Sequence, residues 1–266
     1  MPNSLPNPPT EDDWAPLAER FVDHHYSSLR GRVRTHVIFE HLRQHLGHPP
    51  QRLVDVGGGA GNQSVPLAQV GHEVTILDPS PAMLERAAKR LEAEDPTTAA
   101  RVQLVEAAGE DAPEALGGAT FDAVLCHGVL MYLDEPEPLV HSLCQLAGPA
   151  GLVSIVAKNV EVMALRHAQE GDWAAAIAAF DSERQLNGLG VDTRGDRVDH
   201  LSALLSRRGI EPVDWYGVRL FTDGWSPDRA ATDPEDLLLE AELIASQRDP
   251  YRQMSRLFHL IGRRTA

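Results

Sequence analysis

The sequence predicts a doubly wound α/β fold: a seven-stranded, mostly parallel, Rossmann-like sheet with a helical segment before it and a helical lid inserted after the fifth strand. Three observations carry this. Short apolar runs alternate with amphipathic stretches at βα spacing between residues 52 and 157. The first run, Leu53-Val-Asp-Val, passes directly into Gly57-Gly-Gly-Ala-Gly61, a strand-to-helix turn where missing side chains let a ligand reach the backbone. The second run ends in Asp78, and ligands bind open parallel sheets outside the carboxyl ends of their strands.

In chain order, residues 1–13 are rich in Asn and Pro and read as a disordered tail. The spacing of Leu17, Phe21, Val33, Val37, Phe39, Leu42 and Leu46 predicts two helices over residues 14–46, broken near 26–31. Strands follow at 52–56, 72–77, 102–105, 123–126 and 151–157, with helices at 62–70, 81–94 and 139–146 between them. Past Asn159 the alternation loosens. Residues 160–186 read as two helices, 187–190 as a glycine-rich link and 197–208 as another helix, so 160–208 is expected to be a helical insertion. A strand at 210–221, an acidic amphipathic helix at 234–246 and a closing strand at 256–263 complete a single domain over residues 14–266.

The chain carries 24 Lys+Arg against 39 Asp+Glu, a net charge of −15, which opposes generic polyanion binding. Only Lys89 and Lys158 represent lysine. Cys126 and Cys144 both lie in apolar runs and read as small core residues rather than a disulfide framework. There is no basic segment followed by an apolar run near Met1 and no apolar stretch of about 20 residues. A cytoplasmic globular protein without a membrane span is expected. His24 and His25 are adjacent and on a helix would point about 100° apart, so no metal site is predicted.

The glycine turn narrows the chemistry. A dinucleotide fingerprint, Gly-x-Gly-x-x-Gly, starting at Gly57 needs glycine at position 62, which is Asn62. Glycines stand instead at 57, 59 and 61, a tighter spacing that suits S-adenosylmethionine, which has no diphosphate to cradle. Asp78, 21 residues after Gly57, is placed to accept hydrogen bonds from both ribose hydroxyls. Gly109, Glu110 and Asp111 follow the third strand, where an acid and a backbone amide can read an adenine edge. Asp78 and this loop serve either cofactor, leaving an NAD-dependent oxidoreductase as the alternative of another class.

These motifs resemble those of class I S-adenosylmethionine-dependent methyltransferases. Ala18-Glu-Arg-Phe21, Gly31-Arg-Val-Arg34, Cys126-His-Gly-Val-Leu130, Gly217-Val-Arg-Leu-Phe221, Asp249-Pro-Tyr251 and Arg256-Leu-Phe-His259 narrow the resemblance to the bacterial tRNA 5-carboxymethoxyuridine methyltransferase family. That resemblance implies methylation of a wobble-uridine carboxylate, with tRNA as partner. It implies that Arg34 reaches the carboxylate of the cofactor's methionine portion, with Gly57 and Gly58 lining it, and that His127 lies beside the cofactor; Asp55, Gly59 and Gly61 complete the predicted cofactor-binding turn. The lysine-poor, acidic composition departs from what a tRNA binder needs to neutralise phosphates, so a small-molecule methyl acceptor enclosed by the insertion stands as the alternative.

A carboxylate acceptor is already ionised at neutral pH and needs no general base. It calls for a cationic or hydrogen-bonding clamp, for which Arg219, Lys158, Tyr216, Arg256 and His259 are candidates; Arg219 can equally pair with Asp214 or Asp223. His127, Arg219 and Lys158 are the predicted acceptor-side catalytic residues. A hydroxyl acceptor would need a base, with His127 or His167 leading. His259 reads as a hydrogen-bonded core histidine, and Tyr132 and Trp173 as core packing.

Overall fold

A computed structural model describes residues 28–187, 190–225 and 235–265. The expected tail at 1–13, the first expected helix, the Ala18–Phe21 motif, His24 and His25 lie outside the described residues. The first described helix, α1 (Leu29–His45), begins where Ser28 caps it, its Oγ accepting from Gly31 N at 3.1 Å. The second expected helix thus starts at Leu29, while residues 26 and 27 of the expected break lie outside the described residues.

The sheet contains β1 (Arg52–Val56), β2 (Glu73–Asp78), β3 (Val102–Glu106), β4 (Phe121–His127) and β5 (Ala147–Lys158). Between them run α2 (Ser64–Gln69), α3 (Pro81–Glu92), the short α4 (Pro96–Ala99) and α5 (Ala112–Ala115), and α6 (Glu137–Leu146). The local signals for α3 agree with one another. Ser80 caps it, Pro81 occupies the first turn, Met83, Leu84 and Ala87 are buried, and Lys89 and Arg90 complement the carbonyl end.

After β5 come α7 (Met163–Glu170), α8 (Trp173–Ala179), β6 (Arg184–Leu186), β7 (Asp192–Arg194) and α9 (Val198–Ser206). The chain then forms β8 (Ile210–Val218), α10 (Glu235–Ser246) and β9 (Leu257–Arg264). The sheet order is β3-β2-β1-β4-β5-β9-β8. Strands β1 to β5 pair in parallel, and β9 inserts antiparallel between β5 and β8. This is the predicted seven-stranded, mostly parallel doubly wound sheet.

Two differences from the sequence expectation have physical reasons. The insertion is not helical throughout: β6 and β7 form an antiparallel hairpin across the stretch read as a glycine-rich link. Three residues per strand are too few to show a period of two. Helix α9 buries Leu201, Leu204 and Leu205 in the main core with Ile210, so it covers the sheet as an ordinary connecting helix. Trp173, read as core packing, starts α8 and is 66% exposed.

Alternation along the strands sorts the two core layers. Val54, Val56, Val124, Cys126, Val153, Ile155, Phe258 and Leu260 pack with α6 and α9. Leu53, Ala123, Leu125, Leu152, Val156, Leu257 and Ile261 face α1 and α10. The same alternation puts His127, Ser154 and His259 together on the α1 side, where Arg34 and His41 of α1 are also buried. Among the described residues no helix is long and apolar enough to cross a membrane.

Candidate active site

The glycine turn is shaped by neighbours that leave no room for side chains. Gly57, Gly59 and Gly61 have φ of 71°, 54° and 73°, the left-handed region that costs other residues free energy. A Cβ at Gly57 would lie 2.4 Å from Val129 Cγ2, and one at Gly58 would lie 2.9 Å from Asp55 Cγ. Gly57 N donates to Leu77 O at 2.7 Å, tying the turn to β2. Asp55 lies beneath it, accepting from Ser64 Oγ at 2.6 Å. Burial pushes the Asp55 carboxyl up to about 6, against the opposing Ser64 hydrogen bond.

Asp78 is oriented by two backbone amides. Its Oδ2 accepts from Gly59 N at 2.9 Å and its Oδ1 from Ser80 N at 2.9 Å. Burial raises its pKa, and those two hydrogen bonds oppose the rise. Beside it opens a cavity of about 250 Å³ whose lining includes Gly57, Gly59, Asp78, Gly109, Glu110 and His127. Ser142 Oγ holds the Gly109 carbonyl at 2.7 Å, and a Cβ at Gly109 would lie 2.5 Å from Leu139 Cδ1. The cavity therefore runs from the glycine turn, past an acid at the end of β2, to the loop after β3.

The remaining expected residues divide into two groups. Asp55, Gly58 and Gly61 support the turn without lining the cavity, and Asp111 sits at the start of α5 outside it. Arg34 is buried and its Nη2 donates to the His127 carbonyl at 2.9 Å, beside the lining residue Gly128. Arg219 and Lys158 lie away from the cavity. Arg219 is ion-paired with Asp223. Lys158, 2% exposed, donates to Thr193 Oγ1 at 2.8 Å beneath the β6–β7 hairpin. Burial, then the neighbouring Arg256, pushes its pKa down to about 7. The lining also includes Ser80, Met83, Val129, Tyr132, Leu133 and Leu139. Among these, Tyr132 reads as core packing from sequence, and the others carry no sequence signal that separates them from ordinary helix and loop positions.

A buried polar chain fixes the state of His127. Ser246 Oγ donates its one proton to Leu243 O at 2.7 Å, because a carbonyl can only accept. His41 Nε2, 2.7 Å from Ser246 Oγ, is then the donor, and its Nδ1 accepts from His259 Nδ1 at 3.2 Å. His259 Nε2 in turn accepts from Ser154 Oγ at 2.7 Å, and Ser154 Oγ accepts from His127 Nε2 at 2.8 Å. Burial holds His41 and His127 neutral, each pushed down to about 3, and His259 well below its ordinary value. His127 therefore carries its proton on Nε2, and its buried Nδ1 has a lone pair without a partner among the described residues. His259, read as a hydrogen-bonded core histidine, is one.

A family described as a methyltransferase domain matches residues 54–153, the span holding the glycine turn, Asp78, Gly109 and His127. Fold, turn and domain together define the class: the chain is an S-adenosylmethionine-dependent methyltransferase. Over most of its length it is 25% identical to the tRNA 5-carboxymethoxyuridine methyltransferase of Escherichia coli strain K12, covering 93% of this chain and 94% of that one. A ubiquinone biosynthesis O-methyltransferase of Methylocella silvestris is 34% identical over 41% of this chain and 40% of its own. Among solved structures, the magnesium protoporphyrin IX methyltransferase of Synechocystis with bound S-adenosylhomocysteine superposes with a TM-score of 0.58 at 14% identity, covering 89% and 85% of the two chains. CcbJ of Streptomyces caelestis superposes with a TM-score of 0.59 at 16% identity, covering 88% and 90%.

Proposed function

We propose that the cavity between the glycine turn and Glu110 holds S-adenosylmethionine and that the chain transfers the methyl group to a carboxylate oxygen of a modified tRNA wobble uridine. The observation that carries this reading is the reach of the tRNA-modifying relative, whose similarity spans 93% of the chain. The ubiquinone-pathway relative covers 41%. The cavity suits the cofactor on its own terms. The turn has no Cβ where a ligand must touch backbone, and the Asp78 carboxylate is already held toward the space a ribose would fill. Gly109 and Glu110 sit where an adenine edge would lie.

The cofactor supplies a methyl group activated on a sulfonium. Its transfer to a carboxylate oxygen would form a C–O bond at the expense of the C–S bond and release a neutral thioether. No proton moves, so the protein's contribution is alignment and exclusion of water. In this reading Gly57 and Gly59 admit the methionine portion and Asp78 accepts from the ribose hydroxyls. Arg34 lies at the carboxylate end, and neutral His127 presents its Nδ1 lone pair to a hydrogen-bond donor. Arg219 and Lys158 belong to the acceptor side beneath the insertion.

The net charge of −15 and the two lysines favour a second reading, in which the acceptor is a small metabolite enclosed by residues 160–196. Incubation with methyl-labelled cofactor and total tRNA, followed by mass spectrometry of the digested nucleosides, separates the two. The tRNA reading predicts a methyl ester on the carboxymethoxyuridine. Its absence across tRNAs known to carry the acid sinks that reading.

A further inference from the structure

Four arginines crowd a place apart from the cofactor cavity. Arg219 follows β8, Arg256 precedes β9, Arg166 lies on α7 and Arg30 on the first turn of α1. All four act on Asp223, whose carboxyl lies below its ordinary range; burial opposes that shift, and Arg219 and then Arg256 drive it. Arg219 is ion-paired with Asp223, Arg256 Nε stands 3.9 Å from Asp223 Oδ2, and Arg30 Nη1 donates to the Asp223 carbonyl at 3.2 Å. Arg166 is held by Glu170 at 2.8 Å. A small cleft opens between Arg166, Gln169, Arg219, Asp223 and Arg256.

The charges among these described residues do not balance. Four guanidiniums face two carboxylates, and a guanidinium cannot shed its proton. Arg219 is 8% exposed, and two buried donors, Arg219 Nε and Arg256 Nη1, have no hydrogen-bond partner among the described residues. Unpaired buried charge is costly, and so is an unmade buried hydrogen bond. Burial already disfavours the charged forms of Arg30 and Arg256. In a chain of net charge −15, this is a local concentration against the overall trend. Its deficit is the one an anionic oxygen group fills, and guanidinium forks match carboxylate and phosphate oxygens.

The cleft also has a position. Arg30 and Arg34 are four residues apart on α1, hence neighbours on one face, and Arg34 bonds the His127 carbonyl at the cavity edge. Through Asp223, which Arg30 bonds and which lines the cleft, α1 links the arginine cluster to the residue that bonds the His127 carbonyl. We propose that Arg30, Arg166, Arg219 and Arg256 form an anion-binding site that takes an anionic oxygen group of the methyl acceptor, a phosphate or a carboxylate other than the one that is methylated. Its assignment to the acceptor rests on the methyl-transfer reading; the binding of an anion does not.

The test uses the full chain, with Arg256→Met and Arg166→Met as variants and sodium acetate or inorganic phosphate as probes, against sodium chloride at equal ionic strength. In the wild type, one or both probes raise the melting temperature saturably, and which of them acts tells carboxylate from phosphate. Both variants lose that response, keep wild-type affinity for S-adenosylhomocysteine, and in chloride melt at or above the wild-type temperature because repulsion is relieved. No saturable response to either probe in the wild type overturns the proposal. So does an undiminished response in both variants, or variants that only melt lower with no change in probe response, the behaviour of a purely structural ion-pair cluster. These outcomes do not depend on finding the acceptor, so a failed tRNA assay leaves the anion site separately decided.

Discussion

Replacing Asp78 by Asn tests whether the cavity is a nucleoside site, and the structure sets the size of the effect. The carboxylate spends one oxygen on Gly59 N and the other on Ser80 N, each at 2.9 Å. An asparagine can satisfy one of these amides and must turn its own NH₂ toward the other. Stability should therefore fall by about 1–3 kcal/mol, the cost of one unsatisfied buried donor. Affinity for S-adenosylhomocysteine should fall further. Each charge-assisted hydrogen bond to a ribose hydroxyl contributes about 1.5–3 kcal/mol, and 1.4 kcal/mol corresponds to a factor of ten. Loss of one such bond predicts at least about tenfold weaker binding by calorimetry, measured below the variant's melting temperature. An Asp78→Asn protein that melts lower but binds S-adenosylhomocysteine as tightly as wild type would refute the placement of the ribose.

Three further outcomes follow from buried polar groups. The Asp55 carboxyl rises from 3.8 to about 6 on folding, so its contribution is fully present below pH 3.8 and is lost as pH rises through 6. Asp55→Asn should therefore gain on wild type by up to about 3 kcal/mol between pH 4 and pH 7, read from urea melts across pH; a constant gap contradicts this. Ser154→Ala removes the bridge between His127 and His259. Nitrogen NMR should show His127 protonated at Nε2 in the wild type and a mixture of tautomers in the variant, and a wild-type Nδ1–H would break the derived proton chain. Glu242 accepts from the backbone N–H groups of Leu220, Phe221 and Thr222 and from Thr222 Oγ1. Glu242→Ala should lose about 3 kcal/mol or more in denaturant melts, because several buried donors are orphaned at once.

The parts legible in the sequence are those where a local rule and the fold agree. The glycine spacing at 57, 59 and 61 and the acid ending β2 belong to single βα units, so short-range pattern sufficed to bring Gly57, Gly59 and Asp78 to one cavity. The β6–β7 hairpin was missed because three-residue strands have no readable period. Glu242 read as one acid on an acidic helix; only the return of the chain after β8 brings three amides to it. The histidine chain joins β4, β5, β9, α1 and α10, and no spacing in the sequence encodes a contact across five elements. For Arg219, pairing with Asp223 was one of the two partners foreseen. The convergence of Arg30, Arg166 and Arg256 on the same acid depends on tertiary packing alone.

The central claim is that the turn at Gly57 with Asp78 and Glu110 binds S-adenosylmethionine rather than a dinucleotide. Parallel calorimetric titrations of the wild-type chain with S-adenosylhomocysteine and with NAD test it most directly. Saturable binding of S-adenosylhomocysteine at one site per chain, with no heat of binding from NAD, is the predicted result. Tight binding of NAD with none of S-adenosylhomocysteine contradicts it.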